Sequence, residues 1–205
     1  MKKFQNFLVN FATIFYPVKV LGADNIDEGN YMIVSNHLSA IDVLYTCKAF
    51  KRKDLNFVAK KELFNKWFSN KFLSYYGGIP IDRENPEISS IIKIIKGLKS
   101  GKTLVIYPEG TRNKSGNAEI LELKGGSGVF AVKSRKPVIP IIVFRRARIF
   151  RKNYVYIGKP FELDDFYDKN IDDNLISQME KIIYNKLVDC QNQLYALLSK
   201  IKKIG

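Results

Sequence analysis

Short apolar runs alternate along this chain with stretches whose apolar residues recur at helical spacing. A short strand over 18–21 turns at Gly22, and a polar connection leads to Tyr31-Met32-Ile33-Val34-Ser35, which reads as a buried strand. A helix follows over about 40–50, opened by Asp42-Val43-Leu44-Tyr45. Residues 55–59 predict the next strand. Over 60–73, apolar positions 63, 64, 67, 68, 72 and 73 predict one amphipathic helix carrying Phe64, Trp67, Phe68 and Phe72. Gly77-Gly78 breaks the chain, and the proline of Ile79-Pro80-Ile81 points to an edge or irregular strand. Asn85-Pro86-Glu87 starts a helix with proline at its first position, lining Ile88, Ile91, Ile92, Ile95 and Leu98 along one buried face before Gly101 closes the unit. Residues 103–107 form a continuous apolar strand. A polar passage over 108–123 leads to a short helix over 127–134 and then to a strand over 138–144, whose internal Pro140 again suggests an edge or bulge. A strand over 153–158 and a long amphipathic helix from Asp172 complete the pattern. Strand, helix, strand in this rhythm predicts an α/β fold: one domain with a mixed, partly parallel central sheet flanked by helices.

Ahead of this body, Lys2 and Lys3 precede Phe4, Phe7, Leu8, Phe11, Ile14 and Phe15, a spacing that gathers the aromatic rings on one helical stripe until Pro17 ends or kinks it. The apolar stretch is interrupted by Asn10 and falls short of the ~20 residues that span a bilayer. The N-terminal amphipathic helix, residues 1–17, therefore suits a membrane interface, with residues 18–205 as the folded domain. A helix that merely covers the domain's own core is the alternative. No cleavage site of the signal-peptide kind follows it.

Charge sharpens the choice of partners without settling it. The chain has 34 Lys plus Arg against 20 Asp plus Glu, a net +14, and such a surface attracts nucleic acid, an anionic leaflet or phosphorylated substrates. Aromatic residues beside the lysines suit a membrane interface and a base-stacking platform equally. Cys47 and Cys190 form no CxxC, and a solitary histidine leaves no zinc ligand set, so both thiols read as unpaired in a reducing compartment and no metal is expected.

Four places look chemical. That histidine, His37, stands where the strand at 31–35 gives way to a helix, where open α/β sheets bind ligands. A neutral imidazole takes a proton from a hydroxyl, and a carboxylate such as Asp42 fixes its tautomer; the same residues also make an ordinary helix cap, with Ser39 and Asp42 spaced almost as a capping box. Arg83 follows the extended Ile79-Pro80-Ile81, where a guanidinium grips phosphate in a fork or simply pairs with Asp82 or Glu84. Tyr107-Pro108-Glu109-Gly110-Thr111-Arg112-Asn113 collects a carboxylate, a permissive glycine, a hydroxyl and a guanidinium at the end of the most apolar short strand, which fits a polar substrate cradle better than a plain turn. Lys124-Gly125-Gly126-Ser127-Gly128 precedes a helix and offers backbone N–H groups to a phosphate, although it lacks the order of a P-loop.

Together these blocks resemble the 1-acylglycerol-3-phosphate acyltransferases, within the glycerophospholipid acyltransferase superfamily. Asn36-His37-Leu38-Ser39-Ala40-Ile41-Asp42 is similar to the family's asparagine-histidine, four residues, aspartate block. Gly78-Ile79-Pro80-Ile81-Asp82-Arg83 resembles the second block. Tyr107 to Arg112 resembles the third, with tyrosine where phenylalanine is commoner, and Val138-Ile139-Pro140-Ile141-Ile142-Val143 the fourth. Lys124-Gly125-Gly126 is similar to the family's lysine-glycine element, with Gly125 where a second lysine is frequent.

The resemblance implies a glycerol-3-phosphate acyltransferase-like fold over 18–205 and transfer of an acyl group from acyl carrier protein or coenzyme A to the sn-2 hydroxyl of 1-acyl-sn-glycerol-3-phosphate, giving phosphatidic acid. It implies His37 as general base and Asp42 as its orienting partner. Arg83, Arg112 and Lys60 become the phosphate clamp, with Glu109, Gly110 and Thr111 as substrate-orienting or loop-organising positions. It also implies no tightly bound cofactor, with acyl-ACP or acyl-CoA as co-substrate, and a peripheral or monotopic place on the cytoplasmic face of the cell membrane beside anionic lipid. Glycerol-3-phosphate or another lysophospholipid is the alternative acceptor. A non-catalytic membrane scaffold of the same fold, or a nucleic-acid-binding domain, would account for the charge but leave His37 to Asp42 and Pro108 to Arg112 without a role.

Overall fold

The computed structural model describes residues 2–51, 55–82, 87–115 and 118–204, with side chains apart from those of residues 2–8, 68 and 202–204. Its strands are β1 (Val18–Leu21), β2 (Met32–Ser35), β3 (Leu55–Lys60), β4 (Ile79–Ile81), β5 (Thr103–Ile106), β6 (Val138–Val143) and β7 (Asn153–Ile157). Its helices are α1 (Lys2–Phe15), α2 (Asp42–Phe50), α3 (Trp67–Tyr75), α4 (Ile88–Lys99), α5 (Ser127–Ser134) and α6 (Asp173–Ile204). The strands form one sheet in the order β1-β7-β6-β2-β5-β3-β4. Every neighbouring pair is parallel except β6 with β7.

Side-chain alternation divides the apolar strands between two cores. Met32 and Val34 pack with Ile94, Leu98, Phe130 and Met179 under α4, α5 and α6. Ile33 between them packs on the other face with Tyr45, Phe50, Leu73 and Val9, beneath α2, α3 and α1. A largely parallel sheet covered on both faces needs this near-continuous apolar sequence in its central strands. Cys47 and Cys190 are free and lie in different cores.

The order of strands positions the site. From β2 the chain crosses to β3 and β4, returns to insert β5 beside β2, and then sets β6 on β2's other flank. The winding thus reverses around β2, and a crevice opens outside the carboxyl ends of β2 and β5. The carboxyl ends of β2 to β6 share one edge, so segments distant in sequence converge there.

Three predicted elements are corrected. The single helix over 60–73 is instead the end of β3 at Lys60, a 3₁₀ segment over Lys61–Asn65 and then α3 from Trp67. This turns Phe72 and Leu73 towards the core and leaves Trp67 exposed. In α4 the buried face runs through Ile91, Ile94, Ile95 and Leu98, whereas Ile88 and Ile92 are exposed; the predicted proline start of this helix lies outside the described residues. Pro80 does sit on an edge strand, but Pro140 is interior, between β2 and β7. Val138 bonds through both its N–H and its C=O to Phe161, so Pro140, two residues on, turns its nitrogen to the same side. There the β6–β7 ladder ends at Ile141 opposite Ile157, with Gly158 N–H donating to the Pro140 carbonyl, and no donor is required of the proline.

Candidate active site

His37 leaves the end of β2 and is held from every side. Its Nδ1 lies 3.0 Å from Asp42 Oδ2. That carboxylate, fully buried in the first turn of α2, also accepts from Leu38 N–H at 2.6 Å, Ser39 N–H at 2.7 Å and the Ser39 hydroxyl at 2.8 Å. Capping of α2 and orientation of the imidazole are therefore one structure, since the tight turn that caps the helix also brings the two side chains together. A carboxylate that accepts from backbone N–H groups leaves Nδ1 to supply the hydrogen, and Nε2 keeps the lone pair.

The histidine backbone is pinned from across the sheet. Its N–H donates to Glu109 Oε1 at 3.1 Å, and its carbonyl accepts from Asn113 N–H at 2.7 Å. Both partners belong to the loop after β5, where Gly110 takes a left-handed φ of 68° and its N–H closes a turn onto the Tyr107 carbonyl. The imidazole stacks on Tyr107 with ring centroids 4.2 Å apart. The Tyr107 hydroxyl reaches Thr46 Oγ1 at 3.3 Å, and that hydroxyl donates to the Asp42 carbonyl at 3.0 Å. Burial first, and then the charge of Asp42, push the Tyr107 phenol well above its ordinary range, so it stays a neutral hydroxyl. Asn36, wholly buried, donates to the Val143 carbonyl and accepts its N–H, tying the end of β2 to the end of β6.

Glu109 is buried, and its Oε2 has no hydrogen-bond partner among the described residues. Burial outweighs the N–H groups of His37 and, more weakly, Leu121, the nearby Asp42 charge adds to burial, and the carboxyl is pushed up to about 8. It therefore carries its proton at neutral pH, beside an imidazole already served by one carboxylate.

The cations stand at the rim. Lys60 ends β3 half-exposed, 3.0 Å from Glu62, and Arg112 is exposed on the loop after β5. His37, Lys60 and Arg112 line one cavity of about 180 Å³, whose remaining wall is mainly apolar and includes Phe57, Leu63 and Phe72. Thr111 is exposed on the same loop, and Gly110 lines a neighbouring apolar cavity of about 320 Å³. Arg83 lies outside the described residues; β4, which precedes it, ends at this same edge. The glycine-rich segment before α5 meets an anion from within the chain: Glu180 of α6 accepts from the Ser127 hydroxyl at 2.6 Å and from Gly128 N–H at 2.8 Å. Of the N–H groups considered for phosphate, those of Lys124 and Gly128 are thus engaged within the chain, by the Pro108 carbonyl and by Glu180. Among the described residues no group of three or more His, Cys, Asp or Glu is placed to hold a metal ion.

Local pattern missed Tyr107, Thr46 and Asn113 as supports of the histidine. Tyr107 and Asn113 are the two ends of the stretch that named Arg112 and were given no role there, and the tyrosine in place of the commoner phenylalanine was the available signal. Thr46, one helical turn beyond Asp42, carried none.

A chain with this constellation has well-described relatives. The family model described as Acyltransferase matches residues 17–144, which include all eight predicted site residues. The 1-acyl-sn-glycerol-3-phosphate acyltransferase of Bacillus subtilis is 30% identical over 184 residues, covering 86% of this chain and 89% of the relative. The enzyme of that description from Streptococcus pneumoniae is 35% identical over 154 residues, 71% of this chain but only 55% of the relative's length. The crystal structure of the 1-acyl-sn-glycerophosphate acyltransferase of Thermotoga maritima aligns with a TM-score of 0.65 at 25% identity, over 92% of this chain and 77% of that one. The chain belongs to the acyltransferase family, among the 1-acylglycerol-3-phosphate acyltransferases of the glycerophospholipid acyltransferase superfamily.

Proposed function

We propose that this protein transfers an acyl group from a carrier-protein or coenzyme A thioester to the sn-2 hydroxyl of 1-acyl-sn-glycerol-3-phosphate, releasing phosphatidic acid and the free thiol. The observation that carries the reading is the His37–Asp42 pair at 3.0 Å, beside a cavity that also receives Lys60 and Arg112. A secondary hydroxyl is a poor nucleophile until its proton is removed during attack. His37 Nε2 takes that proton, the acceptor oxygen bonds to the thioester carbonyl, and the carbon–sulfur bond breaks. The imidazolium, stabilised by Asp42, returns the proton to the departing thiolate. No covalent acyl-enzyme is required. Burial pushes the thiols of Cys47 and Cys190 up to about 12 each, which leaves them poor nucleophiles.

Arg112 and Lys60, joined by Arg83, hold the acceptor's phosphate; arginine matches phosphate oxygens in a fork and lysine as a point charge. Glu109 and Gly110 organise the loop that supports His37, and Thr111 orients substrate from that loop. Residues 1–17 form a membrane-associating helix and 18–205 the catalytic domain, working on the cytoplasmic face of the cell membrane beside anionic lipid. Among the described residues no helix is long and apolar enough to cross a membrane, and α1 leaves Phe11, Ile14 and Phe15 exposed. The test is acyl transfer by purified protein to detergent-dispersed 1-acylglycerol-3-phosphate, glycerol-3-phosphate and a phosphate-free monoacylglycerol, each with both thioesters. Preference for the first acceptor, lost in His37→Ala, supports the reading; equal use of all three acceptors overturns it.

A further inference from the structure

The β6–β7 connection, residues 144–152, has no part in the chemistry above, yet its sequence is Phe-Arg-Arg-Ala-Arg-Ile-Phe-Arg-Lys. It contains five cations and no carboxylate. None of Arg145, Arg146, Arg148, Arg151 or Lys152 has an ion-pair partner among the described residues. Burial first, and then the neighbouring charges of Arg145 and Arg148, lower the proton affinity of Arg151; Arg145 donates to the Lys152 carbonyl and Arg151 to the Arg146 carbonyl, contacts that hold the loop without neutralising its charge. At the tip Ile149 is 59% and Phe150 73% exposed. Phe150 holds a left-handed φ of 56°, an uncommon conformation for a bulky side chain. The chain thus accepts local strain while presenting an aromatic ring to solvent.

Two further observations fix what this tip belongs to. Phe150 N–H donates to the Phe15 carbonyl at 2.7 Å, and the two rings lie 5.9 Å apart, so the tip continues the exposed apolar end of α1. The loop also leaves the sheet at Val143, the residue that Asn36 grips beside His37. It therefore stands on the edge that carries the active site.

We propose that residues 144–152, together with the C-terminal turn of α1, form a docking surface for an anionic bilayer, with Ile149 and Phe150 inserted among the headgroups and the arginines on lipid phosphates. The inference rests on the membrane reading given above and adds to it a site outside the N-terminal helix. An apolar ridge that protrudes, ringed by cations, suits insertion into an interface better than it suits a groove-to-groove protein contact. Docked here, the protein brings the mouth of the His37 cavity towards the plane in which a lysolipid lies.

The test uses two substituted forms of the chain and one shortened form. In Arg146→Gln/Arg148→Gln, binding to vesicles containing anionic lipid should fall about 25-fold, at roughly fivefold per cation, while binding to purely zwitterionic vesicles stays unchanged. In Ile149→Ser/Phe150→Asn, where asparagine tolerates the left-handed backbone, binding to both vesicle types should fall ~10-fold or more. Transfer to detergent-dispersed lysolipid should be unaffected in both variants, which also shows that they fold. The third form lacks residues 2–16, and because this removes Val9 from the core, its transfer to detergent-dispersed lysolipid is measured as the check that it folds. Loop variants that bind as the wild type does, beside a truncated chain that does not bind, would overturn this proposal and leave the helix anchor standing. Wild-type vesicle binding in all three forms would sink both. Loop variants with intact vesicle binding but a raised KM for the carrier-protein thioester alone would assign the surface to an acidic protein, which also overturns the proposal.

Discussion

Two carboxylates flank His37, and their surroundings could hardly differ more. Asp42, in the first turn of α2, and Glu109, in the loop after β5, are both buried. Asp42 accepts from four donors, one of them the imidazole. Among the described residues Glu109 Oε1 accepts from the His37 N–H, Oε2 has no hydrogen-bond partner, and the Leu121 N–H lowers the carboxyl's proton affinity only weakly. The two side chains thus serve differently: Asp42 is tied into four hydrogen bonds and orients the base, whereas burial pushes the Glu109 carboxyl up to about 8, so it keeps its proton at neutral pH. A second anion here would hold the imidazole's proton more firmly and make it slower to leave, so a neutral Glu109 lets the loop grip the histidine backbone without altering its charge environment.

The largest expected effect tests the anionic side of this pair. His37→Ala should lower kcat by ~10²–10⁴-fold, the range for losing a general base, with a circular dichroism spectrum like that of the wild type. Asp42→Asn should approach the same loss, because its amide turns N–H groups towards donors and frees the imidazole's tautomer. It should also lower stability, since Leu38 N–H and Ser39 N–H lose an anionic acceptor. Steady-state rates beside urea unfolding would separate the two contributions. A fully active Asp42→Asn protein would reduce Asp42 to a helix cap and dissolve the contrast.

The exposed rim should respond less and differently. Replacing Arg112 or Lys60 by Ala removes a charged contact worth ~1.5–3 kcal/mol, or roughly 10- to 100-fold in acceptor KM. For Lys60 the lower end applies, because it is half-exposed and already faces Glu62. KM measured with 1-acylglycerol-3-phosphate and with the phosphate-free acceptor should diverge in wild type and converge in the variants. Unchanged discrimination would make both residues structural.

How much of this was legible beforehand follows from the range of each interaction. His37 with Asp42 is a local contact across a five-residue separation, and the change from apolar run to polar block disclosed it. The α/β rhythm, the edge position of Pro80 and the long last helix were likewise local patterns. Glu109 meets His37 across 72 residues, and that contact exists only because β5 inserts beside β2. Periodicity carries no information about strand order, so it could not tell an inward Glu109 from an outward Arg112 three residues later. The same blindness explains Glu180, which reaches the start of α5 from 52 residues away and takes the Gly128 N–H and the Ser127 hydroxyl. Pro140 misled for a related reason: a missing donor excludes an interior strand only where the neighbouring strand requires one.

The smallest effect probes the neutral carboxyl itself. Glu109→Gln keeps an oxygen to accept the His37 N–H, so catalysis near neutral pH should change little. Stability should change with pH in a particular direction. Glu109 titrates near 4.5 when unfolded and at about 8 when folded. Below the lower value both states hold the proton and the residue adds no pH dependence. Between the two, the folded protein holds a proton that the unfolded chain has released, so rising pH favours unfolding. The contribution is fully lost above the upper value, where both states are ionised. Glutamine has nothing to titrate. The stability of Glu109→Gln relative to wild type should therefore rise from about pH 5 to pH 8 and then level off, as measured by urea unfolding at a series of pH values. Parallel curves across that window would mean that Glu109 is ionised when folded, and both carboxylates would then bear charge beside one histidine.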